Sequence, residues 1–478
     1  MNQGQITRNT TYVLIASTFQ KVGAFIFFII LTRFLGVEEI GKYVFAMSFA
    51  GLFAILPDLG LSFALTREIA RDENKGAFYF NTALSFKIIF SLLTYLVIFI
   101  AINLLGYSTE TKILVYLSGL MVAIDGFNLS FTAIFRGLQK LKYEAWIIII
   151  HQILVILFAG LALYLKMSLE MIIAAIVLTS VINFIYYVIT LYKKTDLRIK
   201  FNFDKKILVF LLKISAPFAL ASIFSRIFWD IDKVFLSKMA GDQAVGFYGA
   251  SYKLIFALQF IPLSLIAALF PAFSKYFIND KEKLSNTFEK AISYLMMIAI
   301  PITFGIIFLA DKLILKIYGA SYISSIIPLQ ILSSALLFMF LIFPLTTTLN
   351  ACEKHKANMF NWAVAAIFCI ALNLFLIPQY KEIGASIAFL SSNVFLFFLS
   401  LYRMEKIVAY RKKYLINVLL KTIFSALAMS TFIFYLKEIF SIFIIIPLAG
   451  LIYVILLFST KTLKKEDLQS IKKSFIVK

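Results

Sequence analysis

The stretch LTRFLGVEEIGKY at residues 31–43 recurs as LSKMAGDQAVGFY at residues 236–248, without a gap, at an offset of 205 (236 − 31). Leu31, Gly36, Gly41 and Tyr43 pair with Leu236, Gly241, Gly246 and Tyr248. The same offset pairs Ala16, Ser17 and Phe19 with Ala221, Ser222 and Phe224, Lys21 with Arg226, and Pro57 with Pro262. Leu, Ala and Phe are common enough here to match by chance. Two Gly-x4-Gly-x-Tyr copies in register are not. A self-match at fixed spacing reads as two halves of one ancestral unit laid end to end. In an apolar chain it points to a transporter built from repeats, with its substrate held between them.

The chain has 478 residues, 62% hydrophobic and 15% charged, with a mean hydropathy of +0.92. Soluble domains run near about 45–50% apolar and about 25% charged, so this composition belongs in a membrane. Apolar runs recur that are each long enough to cross roughly 30 Å of hydrocarbon as a helix. Helices are the economical choice, because lipid offers backbone amides no partner. The expected fold is therefore an all-α polytopic membrane protein with about fourteen spans, the first near 10–32 and the last near 440–459. Residues 1–195 and 196–405 form two pseudo-symmetric six-helix bundles, and residues 406–478 supply two further spans and a basic tail. The longest polar connections are expected near 193–208 and 273–285.

Charge sets the orientation. With the N-terminus in the cytoplasm, thirty of the 46 Lys and Arg fall in cytoplasmic segments and nine in external ones. Both termini are thus expected inside the cell membrane, and a miscounted span would reverse the bias downstream. The net charge of +21 then expresses topology and attraction to anionic membrane lipids rather than nucleic-acid binding. No small-residue cleavage pattern follows the first apolar run, which reads as a retained span rather than a signal peptide.

Several chemistries lack the residues they need. Gly36 to Tyr43 resembles a P-loop, but Tyr43 stands where Ser or Thr would hold magnesium, Glu38 and Glu39 would repel phosphates, and the second copy has Phe247 in place of the Lys. Its glycines suit a tight turn and a close approach between adjacent spans. The two His, His151 and His355, and the two Cys, Cys352 and Cys369, give no metal centre, disulfide framework or nucleophilic triad. No catalytic residue, metal or cofactor is expected. An integral membrane glycan-processing enzyme would need a sizeable aqueous loop, and none is apparent.

Charges within spans are costly, about 2.5–3.5 kcal/mol each on insertion scales, so each needs a partner or a wet cavity. Lys21 lies halfway along the first span, and its repeat mate Arg226 near the middle of the seventh. Across a pseudo-two-fold axis the two would face each other in a site suited to phosphate or pyrophosphate. Arg226 has an alternative, since Asp230 and Lys233 continue its helical stripe and can neutralise it. Lys253 and Asp58 are further candidates for the same site. Lys87 in the third span is another candidate, with snorkelling from a cytoplasmic span end as its alternative role. Asp58 and Asp125 read as cavity groups, helix–helix partners or proton carriers. For a coupling ion, sodium or a proton, the oxygens of Asp230, Asp232, Asn373 and Asn393 are the candidates, with interhelical hydrogen bonding the competing role for the asparagines.

Residues 31–72, LTRFLGVEEIGKYVFAMSFAGLFAILPDLGLSFALTREIARD, and 229–254, WDIDKVFLSKMAGDQAVGFYGASYKL, resemble the polysaccharide-exporter branch of the multidrug/oligosaccharidyl-lipid/polysaccharide superfamily. The resemblance runs from end to end, including two six-helix bundles and two extra C-terminal helices. It implies an O-antigen-type flippase that moves a polyprenyl-pyrophosphate-linked oligosaccharide across the cytoplasmic membrane by alternating access, alongside other polysaccharide-assembly proteins. In that family basic residues of the first, second, seventh and eighth spans line the cavity. Lys21, Arg226 and Lys253 fill three of those places, whereas the second span carries Asp58 and no base. The competing functions are a peptidoglycan-precursor (lipid II) flippase, a small-molecule exporter of the same superfamily, and the membrane enzyme.

Overall fold

The computed structural model describes residues 3–463. The end of the expected basic tail, from Lys464 to Lys478, lies outside the described residues. Every regular element described is helical, in the order α1 (Gln3–Phe34), α2 (Val37–Leu52), α3 (Leu61–Arg71), α4 (Gly76–Leu104), α5 (Thr109–Gly137), α6 (Leu141–Tyr164), α7 (Leu169–Lys194) and α8 (Lys205–Ala240). There follow α9 (Asp242–Ala257), α10 (Phe260–Asn279), α11 (Lys281–Ile317), α12 (Ile326–Ala351), α13 (His355–Met404), α14 (Lys412–Leu436) and α15 (Ile442–Ser459).

Twelve segments of the described residues are long and apolar enough to cross a membrane. The 50-residue α13 is two helices joined at a kink, where Lys381 takes φ +48° beyond Pro378, so it holds two crossings. The segment from Val37 to Arg71 is not among the twelve; turns at residues 53–60 separate its two shorter helices, α2 and α3. Leu59 (φ +46°) and Gly60 (φ +74°) make that break. Counting α13 as two, the apolar segments approach the about fourteen expected from length and hydropathy.

By internal packing the chain forms two compact units, which do not follow the repeat boundary. One comprises Met1–Phe260 with Trp362–Ala385, the other Ile261–Asn361 with Ser386–Lys478. In the first, α2 and α9 begin and end in register with the repeat, Val37 with Asp242 and Leu52 with Ala257. Gly36 and Gly241 open the two helices, and only Gly241, at φ +84°, requires glycine for its backbone. Gly41 and Gly246 serve a different purpose. A Cβ on Gly41 would overlap the Asp242 carbonyl oxygen, and one on Gly246 the Val37 carbonyl oxygen. The expected close approach is therefore between the two copies of the repeat rather than between sequential spans. Small residues permit such backbone contact where lipid supplies no hydrophobic drive.

The segment at 195–204, expected as a polar connection, is non-helical but pinned to α4. Asn81 Nδ2 donates to the Arg198 carbonyl (3.1 Å) and Asn81 Oδ1 accepts from Lys200 N (3.0 Å). Asn202 N reaches Ser85 Oγ (2.8 Å), and Asn202 Nδ2 reaches Thr82 Oγ1 (3.0 Å). Asp204 then caps α8 by accepting from Lys206 N and Ile207 N. The other expected connection, 273–285, is mostly helix: only Asp280 separates α10 from α11, and its side chain caps α11 through Lys283 N. Polar side chains there continue a helix out of the apolar span instead of breaking it.

In the second unit the C-terminal helices are tied to α11. Glu289, 1% exposed in its side chain, accepts a bidentate pair from Arg411 (Nη2 to Oε2 at 2.6 Å, Nε to Oε1 at 3.2 Å). Lys437 Nζ lies 2.7 Å from Asp311 Oδ2, and the Tyr453 hydroxyl donates to the Met297 carbonyl at 2.8 Å.

Candidate functional site

Three of the expected binding residues converge in the first unit. On α1, Lys21 Nζ lies 5.1 Å from the centre of the Phe256 ring on α9. On α9, Lys253 Nζ lies 5.5 Å from the Phe28 ring on α1. The two helices thus exchange a cation onto each other's aromatic face. Such a contact contributes about 0.5–2 kcal/mol and leaves the charge unneutralised. The ion pairs found within the spans of this unit use neither ammonium. Arg226 on α8 is near enough to repel Lys21, and Lys253 lies within the fields of Lys21, Lys233 and Asp230.

Arg226 also belongs to a self-neutralising stripe. Its Nη1 is 3.7 Å from Asp230 Oδ2, while Lys233 Nζ is 3.7 Å from Asp230 Oδ1 and 3.0 Å from Asp232 Oδ1. Arg226 and Lys233 balance Asp230 and Asp232, so Lys21 and Lys253 remain the uncompensated charge. Arg226 is half exposed at its side chain, whereas Lys233 is 3% and Asp232 0% exposed. Lys233 donates to the Trp229 carbonyl at 2.5 Å and sits 3.7 Å above the Tyr252 ring. Both Asp232 oxygens are engaged, Oδ1 by Lys233 and Oδ2 by the Tyr248 hydroxyl. Tyr248 did not stand among the sequence-derived site residues. Tyr248 could have been found, since it is the Tyr of the repeated Gly-x4-Gly-x-Tyr pattern.

Of the roles open to it, Asp58 takes that of a partner to another helix. It lies in the break between α2 and α3, 5% exposed, and Lys87 Nζ on α4 is 2.5 Å from its Oδ1. Its carboxylate also accepts from Ser62 N (3.2 Å) and the Ser62 hydroxyl, and Lys87 donates onward to the Gly126 carbonyl (2.6 Å). Lys87 is fully buried and does not snorkel. The pair satisfies the helix break, since a lone buried charge of either sign would be strongly unfavourable.

The asparagine candidates fall in different units. Asn373, in the first, donates to the Cys369 carbonyl (2.8 Å) and leaves Oδ1 without a hydrogen-bond partner. Asn393, in the second, donates to the Phe389 carbonyl (2.9 Å), and its Oδ1 likewise has none. His151 on α6 meets Thr179 Oγ1 on α7 at 3.3 Å, an interhelical hydrogen bond. Lys42, the lysine of the P-loop-like stretch, is committed to Glu110 (2.8 Å) and Glu38 (3.6 Å). Among the described residues no group of three or more His, Cys, Asp or Glu could hold a metal ion.

A family model described as polysaccharide biosynthesis protein matches residues 6–277. A putative O-antigen transporter of Shigella flexneri is 24% identical over 373 residues, covering 75% of this chain and 88% of that protein. A probable low-salt glycan biosynthesis flippase of Haloferax volcanii is 20% identical, with 80% of each chain covered. Among solved structures, the lipid II flippase MurJ in an inward closed conformation superposes with a TM-score of 0.76 at 16% identity, covering 92% of this chain and 97% of that one. These proteins are named for transport, and none for an enzymatic reaction.

Proposed function

The chain belongs to the polysaccharide biosynthesis protein family, and from that premise we propose that it is a flippase for a polyprenyl-pyrophosphate-linked oligosaccharide in the cell membrane. The observation that carries this is the uncompensated cation group of Lys21 and Lys253 beside Arg226. A glycan headgroup cannot cross hydrocarbon unaided. It needs a polar, cationic path that opens sideways, so that the lipid tail stays in the bilayer. Arg226 would grip a pyrophosphate bidentately, and the two lysines would act as point charges. Alternating access would come from rocking of the two repeats about the α2–α9 crossing at Gly41 and Gly246. In this reading both termini are cytoplasmic, and other polysaccharide-assembly proteins supply and consume the cargo.

For the coupling ion the reading favours a proton over sodium. The acidic pair proposed for sodium is already served: Lys233 and Tyr248 hold both oxygens of Asp232, and Lys233 and Arg226 flank Asp230. A small-molecule cation exporter would want uncompensated acids where this chain has uncompensated bases.

The test is flipping of a fluorescent polyprenyl-pyrophosphate oligosaccharide in proteoliposomes. Lys21→Ala and Arg226→Ala should each slow transport at least about tenfold, because a charge-assisted contact contributes about 1.5–3 kcal/mol. Native rates in both variants would reduce the group to structural neutralisation. Transport of a peptidoglycan precursor in preference to polysaccharide precursors would reassign the cargo, and cation efflux without any flipping would overturn the reading.

A further inference from the structure

Asp230 is an acid that neither of its neighbouring cations needs. Lys233, 3% exposed, is already held at 3.0 Å by Asp232 Oδ1, and also by the Trp229 carbonyl and the face of Tyr252. Arg226 is 52% exposed at its side chain, so a fixed counter-ion stabilises it little. Asp230 nevertheless stands between them, with Arg226 Nη1 3.7 Å from its Oδ2 and Lys233 Nζ 3.7 Å from its Oδ1. Both separations exceed hydrogen-bond length, whereas Asp232 is hydrogen-bonded through both oxygens. Asp232 is locked in place and Asp230 is loosely held.

The repeat supplies a second observation. The offset that pairs Arg226 with Lys21 pairs Asp230 with Phe25, so the equivalent base on α1 has no acid one turn beyond it. A cation in an apolar span carries the same insertion cost in either helix, and that cost does not explain an acid placed in one copy only. Packing does not explain it either. A Cβ on Gly51 of α2 would come 3.4 Å from Asp230 Oδ2, so the carboxylate meets α2 where that helix offers no side chain to bond it.

Competition does explain the position. Asp230 Oδ2 faces the guanidinium that phosphate oxygens of the cargo would take, and carboxylate and phosphate are alternative partners for the same fork of donors. An arriving phosphate must displace the carboxylate, and a departing one is replaced by an oxygen already 3.7 Å away. A site that moves its cargo must bind it well enough to load and loosely enough to let go.

We propose that Asp230 is a built-in competitor for the phosphate groups of the cargo at Arg226, which weakens their binding and speeds their release. It is a positioning residue, acting through the guanidinium. The assignment rests on the flippase reading above and deepens it by separating loading from release.

The experiment is isothermal titration of inorganic pyrophosphate into the purified full chain in nanodiscs. The native chain is compared with Asp230→Asn, Asp230→Glu, Arg226→Ala, and Arg226→Ala combined with Asp230→Asn. Lys233 keeps Asp232 in all of them, so the fold is retained, as thermal melting would verify. Asp230→Asn should bind about fivefold tighter, equivalent to about 1 kcal/mol for an accessible pair, and Asp230→Glu, which keeps the charge, should bind as the native chain does. The gain should vanish without Arg226. In proteoliposomes, Asp230→Asn should half-saturate at a lower concentration of lipid-linked oligosaccharide and turn over more slowly at saturation, because release becomes limiting. A structural role would lower affinity and rate together. Unchanged or weaker binding in Asp230→Asn, with Arg226→Ala weaker than native, overturns the competitor and leaves the flippase reading standing. An equal gain with and without Arg226 also overturns it, as a field effect on the whole cation group. Pyrophosphate binding that is the same in the native chain and in Arg226→Ala overturns both, since Arg226 then grips no phosphate.

Discussion

Lys233 shows how far a single residue's chemistry is set by its neighbours. Its ammonium is buried against Asp232, Asp230, the Trp229 carbonyl and the Tyr252 face. Removing one partner of a buried pair strands the other, at a cost of about 3–5 kcal/mol. Lys233→Met should therefore lower thermal stability in detergent strongly, and Lys233→Met with Asp232→Asn should restore most of it. If the double variant is as unstable as the single one, the ion pair is not what holds this part of α8. Arg136→Ala makes the equivalent case outside the cation group, because Glu144 is 1% exposed in its side chain and accepts Arg136 Nη2 at 2.6 Å. The same assay should show a loss of about 3 kcal/mol, and Glu144→Gln with Arg136→Met should be milder.

At the scale of elements, the α2–α9 crossing depends on two missing side chains. Gly41 and Gly246 each approach a carbonyl of the other copy so closely that no Cβ fits. Overpacking of this kind typically costs about 1–3 kcal/mol and here meets backbone, which cannot turn aside. Gly246→Val should prevent the crossing, read as loss of crosslinking between cysteines introduced at Val44 and Gly249, whose side-chain positions face each other. Unchanged crosslinking would mean the helices repack around the valine. The pinned linker gives a second test. Asn81→Ala removes hydrogen bonds to Arg198 and Lys200, so trypsin should cut residues 195–204 faster than in the native chain, while cleavage elsewhere is unchanged.

For the whole molecule, orientation is the property that charge decides most directly. With the N-terminus placed in the cytoplasm, thirty of the 46 basic residues fall on that side, and on that bias we propose an even number of crossings with both termini in the cytoplasm. Cys352 and Cys369 are both buried, so an introduced cysteine can be read without removing them. Lys166→Cys, in the turn between α6 and α7, should react with a membrane-impermeant maleimide on intact cells, and Asp196→Cys in the linker only after permeabilisation. The opposite pattern would invert the chain and reverse the direction of transport proposed here.

The sequence by itself determined the all-helical membrane fold, the approximate number of crossings and the two-fold repeat. Hydropathy, the scarcity of breakers and a fixed offset are local signals, and lipid leaves the backbone no alternative to helix. It also singled out Lys21, Arg226 and Lys253, because charge in an apolar span is conspicuous wherever it points. What the tertiary structure alone decided is which of those charges remain uncompensated. Asp58 and Lys87 lie on different elements, and nothing in their spacing announces the pair. Asp232 is satisfied by Lys233 next to it and by Tyr248 one helix away, so its availability to an ion could not be read from α8 alone. Gly41 meets Gly246 across the repeat, although sequence placed its contact with a sequential span. Pairing depends on which helix faces pack together, and that depends on long-range contacts no single segment encodes.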